Sequence, residues 1–422
     1  MKPSLPNTPS SLSHWHRTTR SFPYLHANHS VDVPISSRYV AIGSGLSGAL
    51  TAYHLLERGV PGRAILILEA REAVSGASGI NAGHVRPGKP SFIHDRLHVS
   101  SANHDMDAFR GFPVFSARHG PEQARKILES EKMVLEIVKT FVEENKVDCD
   151  FLYRTTMDVC LSKEFATYQL KAMESYKAAG GDTSHVQVYR GQEAQAKTGM
   201  SNAVSAYEWP AASNHPGKLC QWILSAVLAK GVKLWTDCPA IKISKNRGSE
   251  LRWDVETPRG TVSADTIVHC TNAHAAVLLP QLASFITPHR SQAYAFIPTY
   301  LCAFSGHDER ITQNSQREFE DLAASRGVSS LRPGEGLDHV WAGILGMTFD
   351  NVPLIGPIDG LDGQWICAGF NGHGMARIFA CAPGLVKLMF GEEWADTGLP
   401  ECFQFSRERI NMCLREAEKS VL

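Results

Sequence analysis

The stretch from Tyr39 to Glu69 constrains most strongly what this chain can fold into. It contains, in order, a short apolar run, a glycine-rich turn, a stretch with helical spacing, a second apolar run and an acidic residue. This order is typical of a dinucleotide-binding site, in which a buried strand leads through a glycine turn into a helix. A tight strand-to-helix turn without a ligand is the simpler alternative. The predicted bounds are 39–42, 43–48, 46–58 and 64–68, with the acid at 69.

Each residue type in this stretch has a physical role at a dinucleotide site. Gly43 permits the tight turn, Gly45 lets a pyrophosphate approach the backbone, and Gly48 lets the helix pack close to the strand. The first helical turn offers N–H groups and the positive end of a dipole to the phosphates. Glu69 lies about 20 residues beyond Gly48, where a carboxylate can accept hydrogen bonds from ribose hydroxyls.

Composition and charge exclude several classes of protein. A chain of 422 residues is too long for one ordinary core, so we expect two interleaved domains. A net charge of −1 predicts no nucleic-acid partner. No apolar run is long enough for a bilayer, so we expect no membrane association. The 10 cysteines form no C-x-x-C pair and predict reduced thiols in the cytoplasm.

The N-terminal segment, residues 1–34, is rich in Ser, Pro and His and has no apolar signal region. We expect a surface arm or a disordered segment. Basic residues precede the first acid, Asp32, which leaves a mitochondrial location as the alternative to the cytoplasm.

A second glycine-rich stretch, residues 76–88, directly follows the predicted ribose-binding strand. Its two glycine pairs and small residues predict backbone pressed against a ligand, with a plain loop as the alternative. Beyond it, His94 and His98 have i,i+4 spacing, with His104 further on. These histidines could hold a metal only if the stretch were helical, and we expect no metal site.

The rest of the chain alternates predicted helices and strands. One apolar strand ends at Thr271-Asn272-Ala273, where a parallel sheet places ligand contacts. A buried strand near the C-terminus leads into a second glycine-rich turn, and the helix expected from Met375 contains Pro383, which should kink or split it. The predicted helices are 121–145, 159–179 and 219–230, and the predicted strands are 232–235, 240–244, 251–257, 260–262, 264–270 and 365–368.

Three motifs carry a family resemblance. They are the dinucleotide fingerprint, Gly-Ala-Ser-Gly-Ile-Asn-Ala-Gly-His at 76–84, and Ala-Gly-Phe-Asn-Gly-His-Gly at 368–374, with Trp-Ala-Gly-Ile-Leu-Gly at 341–346 between the last two. Together they resemble the FAD-dependent oxidoreductases of the D-amino-acid oxidase, glycine oxidase and sarcosine oxidase type. The likeness is greatest to fungal members similar to γ-glutamylputrescine oxidase, and it spans most of 34–300 and 339–395.

The resemblance implies an α/β fold with a Rossmann-like FAD-binding domain of the glutathione-reductase type. An α+β substrate domain would be interleaved with it. That domain is expected to be shortened, because a D-G-x-I-x-x-G-G pattern is missing between Phe296 and Trp341. The implied divisions are an FAD-binding domain at 35–115, 204–285 and 341–395, a substrate domain at 116–203 and 286–340, and a C-terminal tail at 396–422.

The resemblance also implies a cofactor and a reaction. FAD would be bound non-covalently, because residues 341–350 contain no cysteine that could tether it. A C–N bond of an amine or amino acid would be oxidised by hydride transfer to flavin N5, with O2 as the electron acceptor. A flavin-dependent tailoring enzyme and a catalytically degenerate flavin-binding protein are the alternatives. An NAD-dependent dehydrogenase would leave the second glycine turn unexplained.

The resemblance also implies one candidate catalytic residue and a set of cofactor-binding residues. His84 is the candidate catalytic residue, and a histidine bonded within its own loop is the alternative. Ile80 stands where the family usually has Arg, and Ala82 where it has Gly. The expected cofactor-binding residues are Gly43, Ser44, Gly45, Leu46, Ser47, Gly48, Glu69, Ala70, Arg71, Ser78, Asn81, Ala82, Gly83, His84, Ala240, Thr271, Asn272, Ala273, Gly372, His373, Gly374 and Met375.

Overall fold

The computed structural model describes residues 3–6, 12–87, 109–248, 250–297 and 336–419. The strands are β1 Ser36–Ile42, β2 Ile65–Leu68, β3 His84–Val85, β4 Leu152–Cys160, β5 Gln187–Arg190, β6 Ser205–Ser213, β7 Lys233–Trp235, β8 Lys242–Lys245, β9 Trp253–Thr257, β10 Gly260–His269, β11 Ile286–Ile297, β12 Gly336–Thr348, β13 Leu354–Pro357 and β14 Gln364–Ala368. The α-helices are α1 His14–Thr18, α2 Leu46–Glu57, α3 Ala77–Ile80, α4 Phe112–His119, α5 Pro121–Asn145, α6 Lys163–Ala178, α7 Gln192–Thr198, α8 Pro216–Ala229, α9 Ile378–Met389, α10 Trp394–Thr397 and α11 Arg407–Lys419.

A mixed sheet with the strand order β13-β14-β10-β1-β2-β7 forms the centre of the fold. β1 pairs in parallel with β2 on one side and with β10 on the other, and Ala41 lies opposite both Ile67 and Val268. These strands are near-continuous apolar runs because a parallel sheet is covered on both faces. Their carboxyl ends therefore meet at one edge, where the glycine turn after β1 and the segments after β2 and β10 come together.

Helices cover this sheet. α2 packs against both α8 and α9, and their apolar residues join one large buried cluster. The long helix α5 has the bounds that its apolar spacing predicts, and it packs against α4 and α9. The mixed α/β fold with a parallel sheet confirms the expected fold class.

Two further sheets lie outside the central one. β6 pairs with β3, β4 and β5, all antiparallel. β11 and β12 form a long antiparallel pair that runs from Ile286 opposite Thr348 to Ile297 opposite Gly336. The segment in which we expected the substrate domain to be shortened lies mostly at 298–335, outside the described residues, as do the histidines at 94, 98 and 104.

Three local predictions were wrong in detail. Residues 159 and 160 belong to β4, and the helix after them begins at Lys163, because the Ser162 hydroxyl accepts the Phe165 N–H and caps it. The two strands predicted at 260–262 and 264–270 form the single strand β10, since its antiparallel pairing with β9 continues directly into its parallel pairing with β1.

The helix expected from Met375 begins at Ile378, after a 3-10 turn at Gly374–Ala376. Pro383 lies inside that helix, α9, which remains continuous around it. The flanking residues Ala382 and Gly384 are buried, so packing on neighbouring elements holds the helix despite the backbone hydrogen bond that proline cannot make.

The N-terminal arm, residues 12–34, packs against the central domain. Ser13, directly before α1, and His16, within it, are both buried. Further along, the Val33 N–H donates to the Arg259 carbonyl at 3.0 Å, and the Thr236 N–H donates to the Ala27 carbonyl at 3.0 Å. This part of the arm is therefore a packed element.

Within the described ranges, no helix has both the length and the apolar character needed to cross a bilayer. The same ranges contain no group of three or more His, Cys, Asp or Glu side chains arranged to hold a metal ion.

Candidate active site

The turn after β1 has the close backbone packing that its glycines predict. Gly43 has φ +111°, and a Cβ there would lie 2.8 Å from the Cys270 carbonyl oxygen. A Cβ on Gly48 would lie 2.0 Å from the Gly43 carbonyl oxygen. Real Cβ contacts are not that short, so α2 can approach the turn this closely only with glycine at 48.

The N-terminus of α2 faces the second glycine-rich loop. Ser78 Oγ accepts the Leu46 N–H at 2.8 Å, and a Cβ on Gly45 would lie 3.0 Å from the same oxygen. Ser44 and Ser47 are buried beside this turn. The structure therefore places Ser78 at the helix end that is expected to receive a pyrophosphate.

Glu69 ends β2 with its carboxylate turned back onto the first glycine turn. Its Oε2 accepts the Ser44 N–H at 2.9 Å and the Ser44 hydroxyl at 2.7 Å, and its Oε1 accepts the Arg71 N–H at 3.1 Å. The residue is 9% exposed. Glu69 thus fixes the turn on one side and the segment Ala70–Arg71 on the other.

Asn81 folds back on its own loop. Its Nδ2 donates to the Ala77 and Ser78 carbonyls at 3.1 and 3.0 Å, and its Oδ1 accepts the Gly83 N–H at 2.7 Å across Ala82. Gly83 has φ +77°. The side chain of Asn81 therefore shapes the loop at 77–83.

The segment after β10 contacts the second glycine turn directly. Asn272 has φ +43°, and its Oδ1 accepts the N–H groups of Gly369 and Phe370 at 3.0 and 3.1 Å. These two amides are therefore engaged within the protein. Thr271 and Ala273 flank Asn272, and Ala240 is buried beyond Cys238, whose N–H donates to the Glu69 carbonyl at 2.8 Å.

The second glycine turn bends sharply between β14 and α9. Asn371 and Gly372 have φ of +53° and +75°, and the Asn371 Oδ1 accepts the Thr348 N–H at 2.8 Å. A Cβ on Gly374 would lie 3.0 Å from Ile378 Cδ1, so this position faces α9. His373 and Met375 are buried, and the strand β3, which begins at the candidate residue His84, packs against the Gly374–Ala376 turn.

Strand β12 contacts the loop at 77–83, the segment after β10 and the second glycine turn. The Trp341 indole N–H donates to the Ile80 carbonyl at 2.7 Å. A Cβ on Gly346 would lie 2.8 Å from both Ala273 N and Asn272 Oδ1, and the Gly346 carbonyl accepts the Asn371 N–H at 2.9 Å. Sequence reasoning did not place Trp341 and Gly346 among the site residues, although their spacing in Trp-x-Gly-x-x-Gly was the available signal.

Two further residues at this edge were missed. Asn214, directly after β6, donates its N–H to the Gly83 carbonyl at 2.8 Å. His215 caps α8 by accepting the Lys218 N–H at 3.1 Å. Burial, with the Lys218 charge as a second cause, lowers the pKa of His215 to about 4, so it is neutral at pH 7.

The residues present fit a bound dinucleotide. Within the described residues, Thr271 Oγ1 and both amide atoms of Asn214 are buried without a hydrogen-bond partner, and buried polar groups of this kind normally have one. Both residues adjoin the site. Cys270 lies beside Gly43, and burial raises the pKa of its thiol to about 12, so it adds no negative charge next to the phosphate position.

Comparisons with known proteins identify the family. The chain is 21% identical over 408 residues to "Probable oxidoreductase OrdL" of Rhizobium meliloti, which covers 88% of this chain and 86% of the relative. The fold matches an L-amino acid deaminase from Proteus vulgaris at a TM-score of 0.63 and 14% identity, covering 90% of this chain and 97% of that one. It matches a glycine oxidase from Geobacillus kaustophilus at a TM-score of 0.63 and 16% identity, covering 89% and 99%.

A family model described as FAD dependent oxidoreductase matches residues 38–312, which is more than half of the chain. The same range holds the fingerprint turn, Glu69, the loop at 77–83 and the segment after β10. The chain therefore belongs to the FAD-dependent oxidoreductase family of the D-amino-acid oxidase type, and FAD is its cofactor.

Proposed function

We propose that this protein oxidises a C–N bond of a small amine or amino acid, with non-covalently bound FAD and with O2 as the electron acceptor. The observation that supports it most is the position of β12. This strand brings the loop at 77–83, the segment after β10 and the second glycine turn to one place. A protein that bound only the ADP half of a dinucleotide would need the segment after β10, but it would have no use for the second glycine turn.

The ADP half would lie at the carboxyl edge of the central sheet. The N-terminus of α2 would face the pyrophosphate, with Gly45 leaving the approach open and Ser78 beside it. Glu69 would accept a ribose hydroxyl on the carboxylate that already holds Ser44. Ala240 and Thr271 would lie alongside, and Thr271 Oγ1 would gain the partner that it lacks.

The flavin half would lie between the loop at 77–83 and the second glycine turn. His84 is the candidate catalytic residue between them, because β3 begins at His84, directly after the loop, and packs against the Gly374–Ala376 turn. Gly372, His373 and Met375 would lie at the pyrimidine edge of the ring. The ring, when bound, supplies an acceptor for a hydride equivalent.

The protein itself would hold the flavin and the substrate in position and enclose them. Fixed backbone groups around the ring position need no reorganisation during reaction, which is why preorganised donors are effective. The substrate carbon must be held within about 3–3.5 Å of the acceptor atom. The sheet β3-β6-β4 and the pair β11-β12 are the elements that would shape that pocket.

The comparisons support the substrate class, and the cysteine positions support non-covalent attachment. The matched solved structures include an L-amino acid deaminase and a glycine oxidase, both acting on amino acids. Non-covalent attachment is supported by the absence of cysteine from residues 341–350 and by the burial of Cys270 and Cys367.

Anaerobic reduction tests this proposal. The purified protein is expected to be yellow, to release FAD on acid precipitation, and to lose its visible absorbance when mixed with at least one member of a panel of amino acids and primary and secondary amines. Air should restore the absorbance with formation of H2O2. A flavin that every amine leaves oxidised, in a protein that dithionite does reduce, would contradict C–N oxidation. Reduced flavin that is stable in air would contradict O2 as the acceptor.

A further inference from the structure

Three consecutive carbonyl groups in the loop at 77–83 each accept a hydrogen bond from a side chain outside the loop. Ser13 Oγ donates to Gly79 O at 2.7 Å. Trp341 Nε1 donates to Ile80 O at 2.7 Å, and Trp15 Nε1 donates to Asn81 O at 2.6 Å. Two of the three donors come from the N-terminal arm.

These bonds set the direction of the loop's amides. In a planar trans peptide, the C=O of one residue and the N–H of the next point in opposite directions. With the carbonyls of Ile80 and Asn81 held by the two indoles, the N–H groups of Asn81 and Ala82 are directed away from those indoles. The loop therefore presents donors on its other side.

The arm also holds the segment that precedes this loop. Val74 has φ +62°, an uncommon and strained value for a β-branched residue. Its carbonyl bonds with His16 Nε2 at 3.1 Å, and its N–H donates to Ser44 Oγ at 3.0 Å. Ser44 in turn donates to Glu69, so His16 connects through Val74 to the carboxylate of the fingerprint.

The N-terminal arm packs so closely against the loop at 77–83 that no space is left for a side chain at two of the loop's glycines. A Cβ on Gly79 would lie 2.3 Å from His16 Nε2, and one on Gly83 would lie 3.0 Å from the Trp15 ring. The Trp15 ring meets His215 edge-on with centroids 4.9 Å apart, and the Thr18 hydroxyl bonds with His215 Nε2 at 2.8 Å. Arg17 pairs with Asp338 of β12.

We propose that Trp15 is a positioning residue for the cofactor site, and that Ser13 and His16 assist it. The Trp15 indole N–H holds the Asn81 carbonyl, so that the N–H groups of the loop at 77–83 face the flavin. The inference rests on the proposed function, because it needs the ring beside this loop. The arm acts on bound FAD through the loop.

Trp15→Phe removes the N–H donor and keeps an aromatic ring against His215. The expected result is a dissociation constant for FAD raised about 2- to 10-fold, the effect of one neutral hydrogen bond. The visible spectrum and midpoint reduction potential of the flavin that remains bound should shift. Trp253→Phe is the matched control, because it removes an indole bond to the Asp362 carbonyl at 2.8 Å in the central sheet; it should leave all three quantities unchanged.

The outcomes separate the two proposals. Unchanged affinity, spectrum and potential in Trp15→Phe would show that the indole only packs, and would overturn the inference. Tighter binding would also overturn it, because the indole would then compete with FAD. If neither the wild type nor Trp253→Phe binds FAD, the proposed function is wrong, and the inference, which rests on it, is wrong as well. If Trp15→Phe does not fold, Ser13→Ala, which removes the bond to Gly79 O, is expected to shift the same spectrum and potential, and no shift would overturn the inference.

Discussion

Glu131 and Arg377 form an ion pair in which neither side chain is measurably open to solvent. Glu131 is 0% exposed and Arg377 is 1% exposed. Glu131 Oε1 accepts a hydrogen bond from Arg377 Nε at 2.8 Å and lies 2.7 Å from Arg377 Nη2 as an ion-pair contact. Glu131 lies on α5 and Arg377 precedes α9, directly after the second glycine turn. The pair joins the long helix to the segment where the flavin is expected.

Removing one partner of this pair should be strongly destabilising. Glu131→Gln leaves the Arg377 charge buried without its counter-charge, and the free energy of unfolding is expected to fall by about 3–5 kcal/mol. Urea denaturation measures it. Glu131→Leu combined with Arg377→Met should recover part of that loss, because no charge is then buried. Asp362→Asn, at an exposed pair with Arg252, serves as the control and should change little.

Glu69→Ala should weaken FAD binding. The carboxylate fixes Ser44 and would accept a ribose hydroxyl, so we expect a loss of about 1.5–3 kcal/mol, or roughly 10- to 100-fold in the dissociation constant. Titration of the apoprotein with FAD, followed by flavin fluorescence, gives this value. Glu57→Gln, at the exposed end of α2, is the control. Equal affinities would mean that the carboxylate serves the fold alone.

Gly48→Ala should destabilise the first glycine turn. The new Cβ would lie 2.0 Å from the Gly43 carbonyl, so α2 must move away from β1. Overpacking of this kind costs about 1–3 kcal/mol, and FAD affinity should fall with it. Gly76→Ala is the matched control, since Gly76 has φ −84° and nothing within 4 Å of its Cβ position. Similar melting temperatures for the two variants would contradict the close approach.

Acid should destabilise the protein below about pH 6.5. Burial lowers the pKa of both His215 and His269 to about 4, whereas both titrate near 6.5 in the unfolded chain. Between these values the unfolded state binds more protons, so stability is fully present above pH 6.5 and falls as pH approaches 4. Each histidine contributes a slope of up to about 1.4 kcal/mol per pH unit.

Denaturation midpoints between pH 4 and 7 test this effect. His215→Asn keeps an N-cap residue on α8 and removes one titrating group, so its curve should be flatter than that of wild type. A variant curve parallel to the wild-type curve would show that His215 is not the origin of the slope.

The local part of the fold could be predicted from the sequence. The fingerprint from Tyr39 to Glu69 combines residue types whose roles are set by backbone sterics and strand burial. α5 was predicted with its bounds because a 25-residue amphipathic pattern is long enough to be unambiguous. The start of α6 was misplaced because the last residues of β4 continue the apolar pattern of the helix, and only the cap at Ser162 separates them.

The contacts that assemble the site could not be predicted in this way. Trp15 meets Asn81 across 66 residues, Asn272 meets Gly369 across 97, and Arg377 meets Glu131 across 246. Sequence spacing carries no information about such pairs. The side chains of Asn81 and Asn272 also act on backbone rather than facing outward, which residue type alone does not reveal.

The position of β12 along the chain has a consequence for biosynthesis. Trp341 and Gly346 are translated only after roughly four-fifths of the 422 residues, so Ile80 and Asn272 have no β12 partner until late in synthesis. Contacts this distant in sequence are slow to form, because the loop-closure cost precedes the stabilising contact. A nascent chain that stops before residue 336 would carry the complete nucleotide fingerprint and still lack the strand that joins it to the second glycine turn. Stable capture of FAD is therefore expected to follow, not accompany, synthesis of the N-terminal half.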